Sequence, residues 1–426
     1  MGRPAWQSLD ETRAMTAIVD FGQTDVSGPL LVQPVAGLPL IVRLLLPLRR
    51  AGVHRFFLLG PVSREVLAVL ERDSRLRGRV HAVDSLDLVR ALGNGPVLIM
   101  RGLVGVDREM IDDLARRAEK DSFFILDPAT DVTSGPPRWH GVGVIRMPNP
   151  QDLSPSDDLP RLLETLRATG RLEVHPASAE ALWSVRHPAD AEAWERRLFA
   201  RLEARTDHPW FQHVVNRRLS TWVTRRLVST PLTPNQVTAA SLGVGLLAAA
   251  CFLPESFAWS LVGWILFQSS YILDRVDGEI ARLKMQESPL GAWIDSMADT
   301  IVQATILLLL GVRLRHTTGH SGFLALGTAG AVGILITGVA VTHFFVRDKG
   351  LRLADARGGW MGLLGLRRLG ASLEETANRD PFTLALLAGV LFNRVDLFLW
   401  VAAVGVNVYL VLLLLLKRAI RPAAAA

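Results

Sequence analysis

Long apolar runs separated by short polar breaks dominate the second half of the chain. A helix of about 20 apolar residues crosses the core of a bilayer, and few other structures bury such a run. We expect six membrane helices, at about residues 237–254, 257–274, 292–313, 321–346, 382–393 and 395–416. The last two could form one long or broken span, but Asn393, Arg394 and Asp396 would be costly at its centre. This half is therefore predicted to be an all-α, six-helix transmembrane domain.

Basic residues are concentrated beside these runs. The chain has 47 Lys and Arg against 41 Asp and Glu, a net charge of +6, and its positive clusters lie at 217–227, 347–359 and 417–421. Cytoplasmic loops of membrane proteins are enriched in Lys and Arg. We therefore expect an integral, multi-pass membrane protein with both termini and the 275–291 loop in the cytoplasm, although Arg313 and Arg315 run against this orientation. Membrane lipid, and not nucleic acid, is the expected partner of this charge.

Residues 209–228, just before the first run, have a different pattern. Apolar residues recur there at largely helical spacing, with two pairs of arginines between them. The apolar set is Trp210, Phe211, Val214, Val215, Leu219, Trp222, Val223 and Leu227. This pattern favours a juxtamembrane amphipathic helix lying in the cytoplasmic interface. An ordinary soluble helix is the alternative.

Four aspartates stand between the second and third runs, in the stretch DRVDGEIARLKMQESPLGAWIDSMAD. Asp274 and Asp277 are three residues apart on one predicted helix, and Asp295 and Asp299 are four apart on the next. Each pair therefore shares a helix face. Carboxylates beside lipid are costly and usually functional; packed together, they must protonate or bind cations. Their oxygens suit Mg²⁺ or Mn²⁺, so the stretch predicts a site for divalent metal.

Glycine and arginine accompany these aspartates at fixed spacing. Gly278 and Arg282 are four residues apart, and Gly291 lies four before Asp295. Glycine lets a ligand approach the backbone, and arginine forms charge-assisted hydrogen bonds with phosphate. The set favours phosphoryl transfer at a membrane surface. Solvated carboxylates at helix ends, or a cation transporter with a soluble sensor domain, are the alternatives.

The full pattern, D-x2-D-G-x2-A-R-x8-G-x3-D-x3-D, resembles the signature of the CDP-alcohol phosphotransferase family over roughly residues 207–416. Members are six-helix membrane enzymes that pass a phosphoalcohol from a CDP-alcohol to a hydroxyl and release CMP. The resemblance implies two divalent ions, Mg²⁺ or Mn²⁺, held by Asp274, Asp277, Asp295 and Asp299, with Asp299 also the catalytic base. The implied CDP-binding residues are Gly278, Ala281, Arg282, Gly291, Pro234, Asn235 and Thr238.

The same resemblance implies an acceptor site and a homodimer formed through the membrane domain. Members hold the acceptor with basic residues on later helices, and the candidates here are His343, Arg347, Lys349 and Arg379. Flanking cytoplasmic charge is the alternative for each of them. We expect CDP-diacylglycerol as the donor and a small polar alcohol or its phosphate as the acceptor, in phospholipid biosynthesis. A synthase that uses CDP-inositol or another CDP-polyol is the alternative.

The first half alternates predicted strands and helices, which favours an α/β fold with a mainly parallel sheet. PVAGLPLIVRLLLPLRRAGVHRFFLL is similar to MobA-like nucleotidyltransferases, a domain that bifunctional inositol-1-phosphate cytidylyltransferase/di-inositol-phosphate synthases carry at this position. Three features of such enzymes differ here. IVDFGQTDVSG replaces the Gly-rich loop, Gln33 the lysine, and Arg101 and Gly102 the metal-binding Gly-Asp, while Asp107 falls several residues late. A catalytically degenerate domain is therefore expected.

These patterns divide the chain into three parts. A nucleotidyltransferase-like cytoplasmic domain is expected at residues 1–186. A charged helical connector follows at 187–208, and the membrane domain occupies 209–421, with its interfacial helix at 209–228.

Overall fold

The computed structural model describes residues 15–21, 28–83, 96–106, 110, 122–126, 140–146, 159–176, 182–204, 211–347 and 379–420. The chain divides into two units, Met1–Ala200 and Arg201–Ala426. The division falls within the predicted helical connector. Each unit has its own secondary structure class, α/β in the first and all-helical in the second.

The first unit is built on a mixed sheet of seven strands. The strands of the unit are β1 Met15–Asp20, β2 Pro34–Val35, β3 Leu38–Pro39, β4 Val53–Leu59, β5 Val80–Val83, β6 Pro96–Arg101, β7 Val104–Val106, β8 Phe123–Leu126, β9 Gly141–Arg146, β10 Glu173–Pro176 and β11 Leu182–Ser184. The order in the main sheet is β10-β8-β9-β6-β1-β4-β5. β1 runs parallel to both neighbours, whereas β9 is antiparallel to β6 and β8. Ala17, Ile18 and Val19 of β1 are fully buried, as expected for a central strand covered on both faces.

Five helices accompany these strands among the described residues. They are α1 Gly28–Val32, α2 Leu40–Arg50, α3 Arg64–Arg72, α4 Leu159–Ala168 and α5 Pro188–Ala204, which continues into the second unit. Leu162 and Leu163 of α4 pack against Ile18, Ile99 and Phe124 of the sheet. The α/β fold predicted for this half is therefore confirmed.

The PVAG stretch forms a tight hairpin between β2 and β3. Ala36 and Gly37 make its two-residue turn with φ of 46° and 82°, the left-handed region that the favoured hairpin turns require. Arg43 of α2 is buried and donates hydrogen bonds to the carbonyl oxygens of Val35 and Ala36, at 2.8 and 3.0 Å. This buried guanidinium fixes the hairpin to the helix.

The second unit consists of helices. They are α6 Phe211–Leu227, α7 Pro234–Ala250, α8 Phe257–Leu283, α9 Pro289–Thr318, α10 Gly322–Arg347, α11 Arg379–Leu391 and α12 Val395–Ile420. Among the described residues, three segments are long and apolar enough to cross a membrane: Pro289–Thr318, Gly322–Ala340 and Val395–Leu414. The prediction of an all-helical half with apolar spans is confirmed. The number of six spans and their orientation stay predictions.

Small residues allow the helices of this bundle to approach closely. A Cβ atom on Gly327 of α10 would lie 2.9 Å from the Cα of Gly311 on α9, so the two backbones touch. Ser241 of α7 and Ser270 of α8 exchange hydrogen bonds with each other's carbonyl oxygens, at 2.8 and 2.9 Å. Close backbones and hydroxyl bonds are the common means of packing membrane helices.

Arg313, whose charge runs against the predicted orientation, is satisfied inside the bundle. It is 7% exposed, and its guanidinium donates to the Ser260 hydroxyl at 2.7 Å and the Phe252 carbonyl at 3.4 Å. The residue therefore has a packing role in the described bundle.

The chain breaks between α11 and α12 where the polar residues predicted a boundary. Asn393 adopts a φ of 52°. The amide of Arg394 bonds the carbonyl of Gly389 at 2.7 Å, and that of Asn393 bonds the carbonyl of Val390 at 3.1 Å. This pair of bonds is a Schellman motif, which ends a helix through one left-handed residue. The 382–416 region therefore forms two helices.

Candidate metal centre

Three of the four predicted aspartates meet where α8 and α9 face each other. Asp274 and Asp277 of α8 and Asp295 of α9 each offer an oxygen, and these oxygens lie within 4.8 Å of one another. Asp299, one turn further along α9, does not belong to this group. Three carboxylate oxygens at this separation are a suitable donor set for one hard divalent cation.

Asp277 is the most buried of the three, with 3% of its surface exposed. The hydroxyl of Thr238 on α7 donates a short hydrogen bond to its carboxylate. Asp277 lies beyond the predicted spanning part of α8, 257–274. Burial raises the pKa of Asp277 to about 6, the Thr238 hydrogen bond opposes this rise, and the charge of Asp274 adds to it. Burial therefore makes this carboxylate harder to ionise than an exposed aspartate, and a bound cation would favour its ionised form.

Gly278 and Arg282 lie together on the same turn of α8. A Cβ atom on Gly278 would be 3.3 Å from Nη1 of Arg282. Arg282 is exposed and Ala281 beside it is half-buried. A side chain at position 278 would therefore press on the guanidinium that is predicted to bind phosphate.

The first turns of α7 and α9 are also neighbours. A Cβ atom on Gly291 would lie 3.7 Å from Oδ1 of Asn235. Pro234 begins α7, and the hydroxyl of Ser288 caps α9 by accepting from the amide of Gly291 at 2.9 Å. Helix N-termini attract anions through their free amides and dipoles. The structure thus brings the predicted CDP-binding residues of both helices to one place.

The acceptor candidates are only partly described. His343 and Arg347 belong to α10 and Arg379 begins α11, but their side chains lie outside the described part of the structure, as does Lys349 altogether. Their predicted role remains a prediction.

Sequence reasoning missed two charged residues that hold α8 in place. Glu279 accepts hydrogen bonds from Ser220 at 2.7 Å and Thr224 at 2.6 Å, both on α6. Lys284 donates to the carbonyl oxygens of Thr230 and Leu232, at 2.7 and 2.8 Å. Both charged residues are buried. In the sequence, Glu279 and Lys284 resemble surface charges at a helix end. The only sequence signal for this contact is the recurrence of small polar residues every four positions on α6.

That recurrence changes the interpretation of α6. Its buried face carries Asn216, Ser220 and Thr224, whereas Leu219 and Trp222 are 45% and 53% exposed. The guanidinium of Arg226 lies 3.8 Å from the ring centre of Trp222. The helix therefore contacts α8 through this polar stripe and keeps Leu219, Trp222 and Arg226 exposed.

The first unit has a different arrangement at the carboxyl edge of its sheet. Asp20 ends β1, Arg101 ends β6, and Nε of Arg101 donates to Asp20 at 2.8 Å with both residues buried. The amide of Gly102 bonds the carbonyl of Asp20 at 2.9 Å. The loop 22–27 and Asp107 lie outside the described residues. This edge, where α/β sheets usually bind ligands, holds a carboxylate that is already neutralised.

Comparison with known proteins identifies the class of the second half. Residues 231–409 match the sequence model of the CDP-alcohol phosphatidyltransferase family, so this half carries a domain of that family. The resemblance predicted from the aspartate signature is thereby confirmed. The match supports a transferase enzyme.

Individual relatives are similar over shorter stretches. The bifunctional IPC transferase and DIPP synthase of Thermococcus kodakarensis is 38% identical over 116 residues, which cover 27% of this chain and 26% of the relative. The protein of the same name from Aquifex aeolicus is 32% identical over 171 residues, 40% of this chain and 37% of the relative. These matches thus span about a quarter to little more than a third of each relative's length.

A solved structure also aligns with the chain. It is CMP:2-keto-3-deoxy-manno-octonic acid synthetase complexed with CTP, and the alignment covers 44% of this chain and 99% of the other. The sequence identity is 13% and the TM-score is 0.33.

Proposed function

We propose that the chain is a membrane-embedded, metal-dependent CDP-alcohol phosphotransferase that releases CMP. The observation that carries this proposal is the meeting of Asp274, Asp277 and Asp295 within 4.8 Å, inside a segment that matches the family. An ion-transport role needs the carboxylates alone, whereas Gly278 and Arg282 add features that suit a phosphate ligand.

Asp274, Asp277 and Asp295 would hold the divalent metal, and Asp299, one turn further along α9, would be the fourth carboxylate that the family resemblance implies. A bound Mg²⁺ or Mn²⁺ polarises phosphate oxygens and stabilises the negative charge that develops during transfer. A second ion, as the family resemblance implies, belongs to the same proposal. The hydrogen bond from Thr238 keeps Asp277 in one orientation, as the outer partners of metal ligands commonly do.

The remaining residues have separate roles in the proposed reaction. Arg282 donates hydrogen bonds to the phosphate oxygens and offsets the charge of the departing CMP. The first turns of α7 and α9, near Asn235 and Gly291, add amide groups to the nucleotide site. The oxygen of the acceptor hydroxyl attacks the phosphorus of the transferred phosphoalcohol, and Asp299 accepts the proton of that hydroxyl. The bond between this phosphorus and the oxygen of CMP breaks, and CMP leaves.

The donor belongs to the proposal as well. The relatives named bifunctional IPC transferase and DIPP synthase favour a CDP-inositol type of donor over the CDP-diacylglycerol expected from the sequence. An inositol phosphate would then be the acceptor and a phosphodiester the product. CDP-diacylglycerol and a phospholipid product are the competing pair in the same assay.

The membrane arrangement is proposed from the sequence and supported by the three apolar segments. It has six spans, a cytoplasmic active site and cytoplasmic termini, with the exposed apolar and basic side chains of α6 at the interface. A homodimer formed through the membrane domain completes the proposal.

One incubation tests the reaction. Purified protein with Mg²⁺ or Mn²⁺ is given CDP-inositol or CDP-diacylglycerol and an inositol phosphate or glycerol phosphate, and mass spectrometry reads CMP and products. We expect metal-dependent CMP release with CDP-inositol. Asp299→Asn should lower it by about 10²–10⁴-fold, while Glu287→Gln, an exposed carboxylate of the neighbouring loop, should leave it unchanged.

Two outcomes would contradict these statements separately. Full CMP release by Asp299→Asn would show that Asp299 is not the base. Absence of CMP release with every donor, while the protein carries cations across liposomes, would show that the chain is a transporter.

A further inference from the structure

Glu279 is a buried carboxylate that the proposed reaction does not use. It is 4% exposed, and its two oxygens accept from the hydroxyls of Ser220 and Thr224, at 2.7 and 2.6 Å. The two donors are four residues apart and share one face of α6. A carboxylate held at both oxygens by one neighbouring helix has a fixed orientation.

Glu279 lies on the side of α8 opposite to the metal ligand Asp277. Residues two apart on a helix are separated by about 200° around its axis. One side of α8 therefore presents Asp277 to Thr238 of α7 and Asp295 of α9, and the other presents Glu279 to α6. Rotation of α8 that displaced Asp277 from Asp295 would also pull Glu279 away from its two hydroxyl donors.

The contact between α6 and α8 has both polar and apolar parts. Asn216 accepts a hydrogen bond from Gln268 at 2.7 Å, one to two turns before Ser220 and Thr224 on the same polar stripe. Val223 and Leu227 of α6 pack against the apolar cluster of Val237, Val276 and Ile280. The apolar part can hold the two helices together, whereas the directional bonds to Glu279 specify the rotation of α8.

We propose that Glu279 is a positioning residue: with Ser220 and Thr224 it sets the rotation of α8 and thereby the geometry of the aspartate cluster. This inference rests on the proposed function for its metal site. Such sites tolerate displacements of only about 0.5 Å or 10–20° in their ligands. Loss of the bonds from α6 therefore weakens metal binding without removing any ligand.

An apolar replacement separates positioning from simple stabilisation. The triple variant Glu279→Met, Ser220→Ala and Thr224→Val removes the buried charge together with both donors. Replacement of a buried polar set by apolar residues of similar volume often keeps or increases stability, so this variant is expected to fold. The matched control is Thr221→Val, which removes another buried hydroxyl of α6 that has no hydrogen-bond partner among the described residues. Thr224→Ser keeps the donor and serves as the conservative variant.

Binding of Mn²⁺ to the full-length protein, measured by electron paramagnetic resonance without nucleotide, is the direct readout. We expect the triple variant to bind Mn²⁺ about 10–100-fold more weakly, the range found when outer partners of metal ligands are lost. The kcat of the triple variant for CMP release should fall. Its thermal unfolding temperature should match that of the Thr221→Val control. Thr221→Val and Thr224→Ser should bind Mn²⁺ as the unaltered protein does.

The outcomes distinguish this inference from the proposed function. A folded triple variant with unchanged Mn²⁺ affinity overturns the positioning role, even if CMP release confirms the reaction. If the unaltered protein binds Mn²⁺ but releases no CMP, the proposed function fails while the positioning role is still decided by Mn²⁺ affinity. If the unaltered protein binds no Mn²⁺, both are wrong.

Discussion

Thr238 shows how much a single hydrogen bond can decide at this site. Sequence resemblance assigns it to the nucleotide, whereas the structure has its hydroxyl donating to the buried carboxylate of Asp277. We expect Thr238→Val, which keeps the shape and removes the hydroxyl, to weaken Mn²⁺ binding about 10–100-fold. Thr238→Ser should restore it. Measurement of Mn²⁺ affinity without nucleotide and of KM for the donor separates the two roles, since a pure nucleotide contact would change only KM.

At the scale of residues, spacing predicted that the aspartates meet, but it did not predict which residues hold their helix in place. The separations between Asp274, Asp277 and Asp295 follow from helix geometry, so their meeting could be expected once two antiparallel helix ends were assumed. Glu279 could not be assigned in the same way. Its importance depends on a partner 59 residues earlier in the chain, and a single sequence carries no record of such long-range pairs.

The crossing of α9 and α10 gives a prediction at the scale of helices. A Cβ atom on Gly327 would lie 2.7 Å from the Leu307 carbonyl oxygen and 2.9 Å from the Gly311 Cα. Both are backbone atoms, so Gly327→Ala must separate the helices, and we expect a loss of about 1–3 kcal/mol of stability. Gly405→Ala on α12 is the matched control, since nothing lies within 4 Å of its added Cβ and alanine favours helix. Thermal unfolding in detergent should rank Gly327→Ala lowest; equal unfolding temperatures would refute the close crossing.

The break between α11 and α12 gives a second prediction at this scale. Asn393 has a φ of 52°, a region that β-branched residues enter at a cost of about 1–2 kcal/mol. Asn393→Val should therefore lower the unfolding temperature, whereas Asn393→Gly should keep or raise it. Tryptophan fluorescence during heating measures the difference. An unchanged unfolding temperature in Asn393→Val would indicate one continuous helix instead.

Apolar patterning predicted the helices better than it predicted their faces. The runs of the second half and the break at Asn393 follow from composition alone. The attachment of α6 to α8 does not, because the sequence predicted only an interfacial helix, whereas the polar stripe of α6 is bonded to α8. Polar side chains hold helices together when each finds a partner, and the partners of Asn216 and Thr224 lie on α8. Periodicity identifies a stripe but not what it contacts.

At the scale of the whole molecule, the two units differ in the arrangement of their carboxylates. The second unit brings oxygens of Asp274, Asp277 and Asp295 within 4.8 Å of one another. The first unit pairs its buried Asp20 with its own Arg101. A carboxylate cluster attracts divalent cations, whereas a buried ion pair has its charge already balanced. The sequence suggested this contrast through the replacement of the expected Gly-Asp by Arg101 and Gly102.

This contrast predicts that the chain uses CDP-alcohols without making them. Because Arg101 neutralises Asp20 at the edge of the sheet, we expect that edge to hold no catalytic Mg²⁺, and the full-length protein given CTP, Mg²⁺ and an inositol phosphate should release no pyrophosphate. The same preparation should release CMP from a ready-made CDP-alcohol, which controls for activity. Pyrophosphate release from CTP would show that the first unit is a second catalytic centre.

Arg101→Gln should leave Asp20 buried without its cation and destabilise the first unit by about 3–5 kcal/mol. An unchanged unfolding temperature in Arg101→Gln would show that the ion pair does not stabilise this unit.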